Sequence, residues 1–518
     1  MKILETIQNN MVHLQENLTQ KFVKRGSWLY IFAFLTGPIG YAIKIIISHD
    51  LSVSDVGMLY GVLSFMLLVG SFNDLGMVES LNHFIPKFLS QEKYKKARTF
   101  LIYAGGGMLL TSLVSSLILW TGSHWLGTSY FGDIAAVTVI KYFCLYLILS
   151  NILHWISNVF IIYQNTKYCK GVEMLRMATS LGFAFQIYHA GNGSIEQYAG
   201  IWNYGVAVAS IFGLYFVWKL HLRELFKNST FEFSKADFTE LFQYSLWALL
   251  ASNVGLLLSQ VDIQLLLVMK GTEEVGIYSN YLSLMGIPFL LLTPIMGLIF
   301  PVVSAYYGAN RMGEIRTITS TFSRLFSLLG LLAISVATLY ASGSGIFFFG
   351  EKFEASGYVL LYSIGFIIFN FLLAINFNIL AAVGKVKKRL AIISKGLIVN
   401  ILLNIIFIHY LGAEGSALAV GISWVFIWYL SYLATQEYHE PFLWKNFLKN
   451  LFFCTMLTLI LWEFIPRDIE IIGRWGYFFS IVASTIIFIT GFSILNKAEL
   501  LGIYRTFKNS TPGNPPTS

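Results

Sequence analysis

Long apolar stretches follow one another along almost the whole chain, separated by short polar segments. A helix needs about 20 consecutive apolar residues to cross the roughly 30 Å hydrocarbon core of a bilayer. An open sheet would leave backbone groups unpaired in lipid, so we predict an all-α integral membrane protein. Fourteen transmembrane helices are predicted, near residues 27–48, 56–84, 99–122, 136–163, 170–189, 197–218, 242–268, 275–304, 318–343, 356–382, 390–410, 414–435, 447–465 and 474–495.

The composition indicates a chain that is solvated by lipid. Of its 518 residues, 56% are hydrophobic and only 12% are charged, whereas a soluble domain is about 25% charged. The 3 cysteines lie in or beside apolar stretches and indicate no disulfide framework. No loop is long enough for a soluble catalytic domain, and the sequence shows no phosphate-binding loop and no His/Cys cluster with metal spacing. We therefore predict that the protein is not an enzyme and holds no metal or resident cofactor.

The positions of Lys and Arg predict the orientation of the chain. With the N-terminus inside, 26 of the 35 basic residues fall in cytoplasmic segments, four in outer loops and five within spans. Because cytoplasmic loops of membrane proteins carry an excess of Lys and Arg, we predict that both termini are cytoplasmic. The same distribution accounts for the net charge of +8 without a nucleic-acid partner. Residues 1–26 are polar and amphipathic and are predicted to form a cytoplasmic segment at the membrane surface.

An internal repeat relates the two halves of the chain. Asp55-Val56-Gly57 opens the second span and Glu274-Val275-Gly276 opens the eighth, 219 residues later, and the same offset superposes the other spans in order. Six spans per unit give both units the same orientation, so we predict two six-helix lobes around a central cleft, as in a transporter that works by alternating access. The predicted boundaries are an N-lobe at 27–220, a cytoplasmic linker at 221–241, a C-lobe at 242–436, two extra helices at 437–496 and a cytoplasmic tail at 497–518.

Several segments carry a resemblance to a known family. They are LSVSDVGMLYGVLSF at 51–65, FNDLGMVESLNHFIPKF at 72–88, VDIQLLLVMKGTEEVGIYSNYLSL at 261–284, FGEKFEASGYVLLYSIG at 349–365 and LAAVGKVKKRLAIISKGLIVNILLNIIFIHYLGAEGSALAVGIS at 380–423. In their order and spacing the chain resembles the Wzx-type O-antigen flippases of the multidrug/oligosaccharidyl-lipid/polysaccharide exporter superfamily, over nearly its whole length. The resemblance implies a fold like that of the multidrug exporters of this superfamily, known as MATE transporters.

The resemblance also implies a substrate, a location and partners. The substrate is an undecaprenyl-pyrophosphate-linked oligosaccharide, moved from the cytoplasmic to the periplasmic leaflet for O-antigen, capsule or exopolysaccharide synthesis. The location is the bacterial cytoplasmic (inner) membrane, and the partners are the lipid bilayer, a polysaccharide polymerase and the chain-length machinery. Two alternatives stay open: a drug/cation antiporter of the same fold and a peptidoglycan-precursor flippase. A membrane-embedded polymerase or ligase of the same pathway would need a large external loop, and the sequence has none.

Basic residues within the spans are candidates for binding a pyrophosphate. Charge is costly at the bilayer centre and often marks a functional site. Arg176 and Lys395 are separated by 219 residues, the repeat offset, and are predicted to flank the inner mouth of the cleft. The alternative is that both reach the lipid headgroups, an interpretation favoured for the shallower Arg324. The full set of candidate cations is Arg176, Lys395, Lys44, Lys141 and Arg324.

Acidic residues within the spans are candidates for a gate or for coupling to a proton or sodium gradient. Asp262 lies at nearly the same predicted depth as Lys44, so the two are expected either to pair as an outer gate or to act independently. Asp74 is a candidate proton or cation site, and the alternative is a structural carboxylate. Glu79 follows Asp74 by five residues and shares its span but not its face.

Amide side chains recur within the predicted spans. Each of them either joins two helices or, with the others, lines a hydrated cavity that accepts sugar hydroxyls. The candidates are Asn73, Asn253, Gln260, Asn280, Asn376 and Asn404.

Overall fold

The computed structural model describes residues 32, 35–227, 230–440, 444–497 and 501. The predicted surface segment at 1–26 and nearly all of the C-terminal tail lie outside this range. Within it, every regular element is a helix. The helices are α1 (35–50), α2 (Val53–Asn73), α3 (Met77–Ser90), α4 (Tyr94–Trp125), α5 (Ala135–Ile162), α6 (Thr166–Ala190), α7 (Ile195–Val217), α8 (Arg223–Lys227), α9 (Lys235–Ser252), α10 (Val254–Lys270), α11 (Thr272–Gly308), α12 (Met312–Phe349), α13 (Glu354–Ile364), α14 (Ile367–Ala382), α15 (Val386–Leu411), α16 (Ala413–Thr435), α17 (Trp444–Phe464) and α18 (Ile469–Leu495).

All fourteen predicted spans coincide with helices, in the predicted order. Of the helical segments in the described ranges, nine are long and apolar enough to cross a membrane, and twelve are if each bent pair is one span. The other two predicted spans fall on α1, which is described only in part, and on α6, whose first half carries several charged residues. The chain is thus a multi-pass membrane protein, and the count of fourteen stays a prediction.

Several spans are bent or broken. The axes of α9 and α10 differ by 53°, and those of α13 and α14 by 59°. A bend of 59° also divides α11 between Thr272–Leu290 and Ile295–Gly308. The second span is interrupted between α2 and α3, where Leu75 and Gly76 both have positive φ. Backbone groups freed at such breaks need side-chain or ligand partners, because lipid offers none.

The helices pack as two similar sets. In the first half of the chain α4 packs on α5, α5 on α7, and α6 on α7; in the second half α12 packs on α13, α14 on α16, and α15 on α16. These are the pairings that a parallel repeat requires, and they confirm the two-lobe fold. The extra helices α17 and α18 pack on the outside of α12, where the Tyr340 hydroxyl contacts both Ser480 and Ser484.

The residue boundaries of the lobes stay a prediction, and the seventh span has partners in both lobes. Its first half, α9, packs on α3 and α4, whereas its second half, α10, packs on α15, α2 and α11. Asn253, between the two halves, donates from Nδ2 to the carbonyl oxygen of Ser71 at 2.7 Å. The lobes meet most extensively where α2 and α1 contact α11, at the predicted outer end.

Candidate functional site

A cavity of about 570 Å³ lies between the two lobes. Its walls come from one face of α1, from the first half of α6 and from the middle of α11. The volume falls within the range of small-ligand sites. The lining residues are Thr36, Gly37, Gly40, Tyr41, Lys44, Lys170, Glu173, Met177, Leu282, Ser283 and Leu290.

Lys44 is a buried cation on the wall of this cavity. Its side chain is only 5% exposed. The ammonium donates to Ser279 Oγ of α11 at 2.8 Å and lies 3.0 Å from the centre of the Tyr60 ring. The ion pairs within the described ranges do not include Lys44. A buried charge without a counter-ion is costly, so an anion that enters the cavity would gain a favourable contact.

The predicted pair between Lys44 and Asp262 is not formed in this structure. Asp262 faces α15 within its own lobe, where Oδ1 accepts from Asn404 Nδ2 at 2.8 Å and Oδ2 lies 3.5 Å from the Tyr278 hydroxyl. Asn404 in turn accepts from the Ser416 hydroxyl at 2.8 Å. Asp262 is 5% exposed, and the side chains of Asn404 and Tyr278 that contact it are neutral. The arrangement matches the alternative of two independent residues.

Arg176 and Lys395 occupy different environments despite their equivalent places in the repeat. Arg176 is half-buried and interacts electrostatically with His154 of α5. Lys395 is exposed on the same stripe of α15 as the apolar side chains of Ile398 and Leu402. This favours the interpretation that Lys395 reaches the headgroups, whereas Arg176 points into the N-lobe.

The other two candidate cations lie at the ends of their spans. Lys141 lies 5.4 Å from the centre of the Trp120 ring, which is 51% exposed. Arg324 forms an ion pair with Glu440 at 3.3 Å, in the segment that follows α16. Neither contributes to the cavity between the lobes.

Asp74 caps the broken second span. Its Oδ1 accepts from the backbone N–H of Gly76 at 3.0 Å, which fixes the carboxylate at the start of α3. A carboxylate is favoured there by the exposed N–H groups of the helix. Glu79 follows in the first turn of α3, and its Oε2 is buried with no hydrogen-bond partner in the described part of the chain.

One face of α5 holds the broken segment in place. Asn151 Nδ2 donates to the Asn73 carbonyl at 3.3 Å, and Asn158 Nδ2 donates to the Val78 carbonyl at 2.9 Å. His154 lies between them on the same face and interacts electrostatically with Asp74. The sequence analysis missed His154. Its signal was the spacing of three polar residues at helical intervals in an otherwise apolar span.

Most of the candidate amides join helices. Asn253 bonds to α2, Asn280 exchanges hydrogen bonds with Ser48 of α1, and Asn376 donates to Ser431 of α16. Gln260 is half-exposed and lies 3.4 Å from Ser259 Oγ. Neither amide atom of the buried Asn73 has a hydrogen-bond partner within the described ranges. These contacts are those of amides that connect neighbouring helices.

Residues 22–307, more than half of the chain, match the sequence family described as “Polysaccharide biosynthesis protein”. The chain belongs to this family. An uncharacterized membrane protein of Methanocaldococcus jannaschii is 22% identical over 440 residues, which cover 81% of this chain and 86% of that protein. The probable low-salt glycan biosynthesis flippase Agl15 of Haloferax volcanii is 26% identical over 262 residues, 49% of this chain and 51% of that protein.

Solved transporters share the fold. The lipid II flippase MurJ, in an inward closed conformation, has a TM-score of 0.71 at 14% identity, with 91% of this chain and 99% of that chain covered. An inward-facing multidrug resistance MATE family transporter of the MOP superfamily has a TM-score of 0.63 at 16% identity, with 77% and 94% covered. Family and fold together confirm the resemblance to the flippases of this superfamily and support a flippase or transporter role.

Proposed function

We propose that this protein flips a polyprenyl-pyrophosphate-linked oligosaccharide across the membrane for surface polysaccharide synthesis. The observation that carries the proposal is Lys44, a buried lysine on the wall of a cavity shared by both lobes, which has no ion-pair partner in the described part of the chain. A pyrophosphate supplies the missing negative charge and strong acceptor oxygens. The match to a polysaccharide biosynthesis family and the relative described as a glycan biosynthesis flippase support it.

The cavity suggests how the headgroup is held. The pyrophosphate contacts the Lys44 ammonium, while the Tyr41 hydroxyl and the Lys170–Glu173 pair, joined at 2.7 Å, lie along the same cavity. The sugars extend toward the cytoplasmic half and the polyprenyl chain stays in lipid. Rocking of the lobes then opens the outer end and closes the inner one. The role is that of a transporter, without a covalent step.

We also propose the lipid carrier, the pathway, the membrane and the partners. The carrier is undecaprenyl pyrophosphate, the product serves O-antigen, capsule or exopolysaccharide synthesis, and the membrane is the bacterial cytoplasmic membrane. A polysaccharide polymerase and chain-length proteins receive the flipped unit. The acidic residues offer two sites for a coupling proton or sodium ion: Asp262 in the C-lobe, and Asp74 with Glu79 in the N-lobe.

Replacement of Lys44 tests the proposed function. Lys44→Gln keeps a donor to Ser279 but removes the charge, and we expect flipping to fall about tenfold or more, because hydrogen bonds to charged groups contribute about 1.5–3 kcal/mol. Lys44→Arg should retain part of the activity. Lys141→Gln, at a cation outside the cavity, is the matched control. The readout is the leaflet distribution of the lipid-linked oligosaccharide, normalised to protein in the membrane.

Two results would contradict the proposal. Normal flipping by the Lys44→Gln variant would show that Lys44 does not bind the pyrophosphate. An unchanged leaflet distribution in cells that lack the protein, together with altered drug efflux, would favour the antiporter, and a change confined to the peptidoglycan precursor would favour that flippase.

The predicted orientation can be tested separately. Glu232 is exposed in the segment between the two lobes, on the predicted cytoplasmic side. We expect a cysteine at this position to be protected from an impermeant reagent in intact cells and labelled in everted vesicles. Labelling of this cysteine in intact cells would show that the orientation is the reverse of the predicted one.

A further inference from the structure

An acid, Asp74, and an imidazole, His154 of α5, both lie in the N-lobe outside the residues that line the Lys44 cavity. We propose that Asp74 and His154 together bind the proton whose movement drives flipping. This inference rests on the proposed function and adds to it the coupling ion and a residue that the sequence analysis did not single out.

The broken span places the acid. Leu75 and Gly76 have φ of 50° and 72°, so the backbone leaves the helix directly after Asp74. The carboxylate turns back onto the Gly76 N–H at 3.0 Å and is held at the start of α3.

The register of α5 places the imidazole. Asn151 and Asn158 hydrogen-bond the backbone on either side of Asp74, at Asn73 and Val78. His154 lies between these two anchors on the same face of the helix, which sets its ring opposite the break. The charged groups that act on the ring are Asp74 and, from α6, Arg176.

Asp74 and His154 are more exposed than Asp262, the other candidate acid within the spans. His154 is exposed and Asp74 is half-buried. Asp262 is almost fully buried and already bonded to Asn404. A proton can therefore reach the N-lobe pair in this conformation without any rearrangement of helices.

The surrounding charges favour a proton over a metal cation. Arg176, which acts on the same ring from α6, would repel a sodium ion bound beside His154. Glu79 of α3 is the other charged group that acts on Asp74. An imidazole exchanges protons near neutral pH, which suits a site that must load and unload in each cycle. Binding adds one proton, which the carboxylate and the ring share, and release removes it.

The break also links the pair to the connection between the lobes. A Cβ on Gly76 would lie 2.2 Å from the carbonyl oxygen of Ser245, so the break touches the backbone of α9. Asn253, at the bend between α9 and α10, donates to Ser71 of α2. A change of charge at Asp74 and His154 thus acts on the span that contacts both lobes.

The test uses the purified full-length protein in liposomes that contain the lipid-linked oligosaccharide and enclose a pH-sensitive dye. We expect wild-type flipping to depend on an imposed pH gradient and to be indifferent to exchange of Na⁺ for K⁺. His154→Gln and Asp74→Asn, which keeps the acceptor for Gly76, should each lose the dependence on the gradient and the proton flux. The double variant should be no worse than either single one, since the two residues act as a unit. Lys395→Gln is the control.

A second readout reports conformation without transport. A cysteine replacing Ser48, buried where α1 meets α11, reacts with a maleimide only when the outer end opens, in a background without Cys144, Cys169 and Cys454. We expect its labelling to titrate between about pH 5 and 8, and His154→Gln to abolish that titration.

The outcomes distinguish the two proposals. If the wild-type protein does not flip the lipid-linked oligosaccharide, the proposed function is wrong. Flipping that ignores the pH gradient, that requires Na⁺, or that keeps its pH dependence in His154→Gln overturns the proton pair and leaves the flippase intact.

Discussion

Gly57 of α2 and Gly276 of α11, 219 residues apart, form a reciprocal contact between the two lobes. A Cβ on Gly57 would lie 1.7 Å from the carbonyl oxygen of Thr272, and a Cβ on Gly276 would lie 2.2 Å from that of Val53. Each glycine thus meets the carbonyl four residues before the other. The repeat axis passes through this crossing, and the absence of two side chains lets the backbones touch.

Adding a methyl group to this crossing should open the outer end. We expect Gly57→Ala and Gly276→Ala each to cost about 1–3 kcal/mol in the conformation seen here, the usual penalty for overpacking. Labelling of outer-end cysteines should therefore increase. Gly182→Ala in α6, where a Cβ meets nothing within 4 Å, is the control. Equal labelling in all three variants would show that the crossing does not hold the lobes together.

Lys352 ties the C-lobe to the end of α1. Its ammonium donates to the carbonyl oxygens of His49, at 3.2 Å, and of Leu51. Cations stabilise the C-terminal ends of helices by about 0.3–1 kcal/mol, so Lys352→Met should shift the lobes modestly toward the outward-open state. Lys270→Gln, at an exposed lysine on the same predicted side, should not. Cysteine labelling at the outer end measures the shift, and no difference between the variants would contradict this role.

Two engineered disulfides should have opposite effects on transport. The hydroxyl oxygens of Ser54 and Thr272 lie 2.7 Å apart between α2 and α11, and those of Ser80 and Ser245 lie 2.7 Å apart between α3 and α9. Cysteines at the first pair should lock the outer end and stop flipping until they are reduced. Cysteines at the second pair should permit flipping, because α9 packs on the N-lobe and is expected to move with it. Arrest by both disulfides would place α9 in the C-lobe.

His439 should make the stability of the C-lobe depend on pH. Burial lowers the pKa of its imidazole from 6.5 to about 4, and the ring Nε2 lies 3.0 Å from Asn376 Oδ1, to which it donates when neutral. The unfolded chain takes up a proton below pH 6.5 whereas the folded chain does not, so stability is complete above pH 6.5. It should fall by at most about 3 kcal/mol as the pH drops toward 4.

Thermal melting of the detergent-solubilised protein checks this expectation. His439→Gln keeps a donor to Asn376 but cannot titrate, so its midpoint should fall less than that of the wild type between pH 7 and about pH 5. The same slope for both proteins would show that His439 is not the titrating group.

The spans, their order and the repeat followed from the amino-acid sequence alone. Solvation by lipid acts on each segment separately: a long enough apolar stretch must form a helix, whatever surrounds it. Gly57 and Gly276 were visible for the same reason, as local motifs at a fixed offset. The helix packing confirmed the expected exporter fold. α6 shows the limit of hydropathy, because its charged first half lowers the apolar signal of a predicted span that packs well on α7.

The partners of the ionisable residues were decided by tertiary structure. Lys44 contacts Ser279, 235 positions away, and Asp262 contacts Asn404, 142 positions away. Depth along a span can be read from hydropathy, but the direction in which a side chain points depends on how helices distant in sequence pack. That is why Lys44 and Asp262, which have the same predicted depth, do not contact each other. It is also why only the structure relates His154 to Asp74, through the packing of α5 against the broken second span.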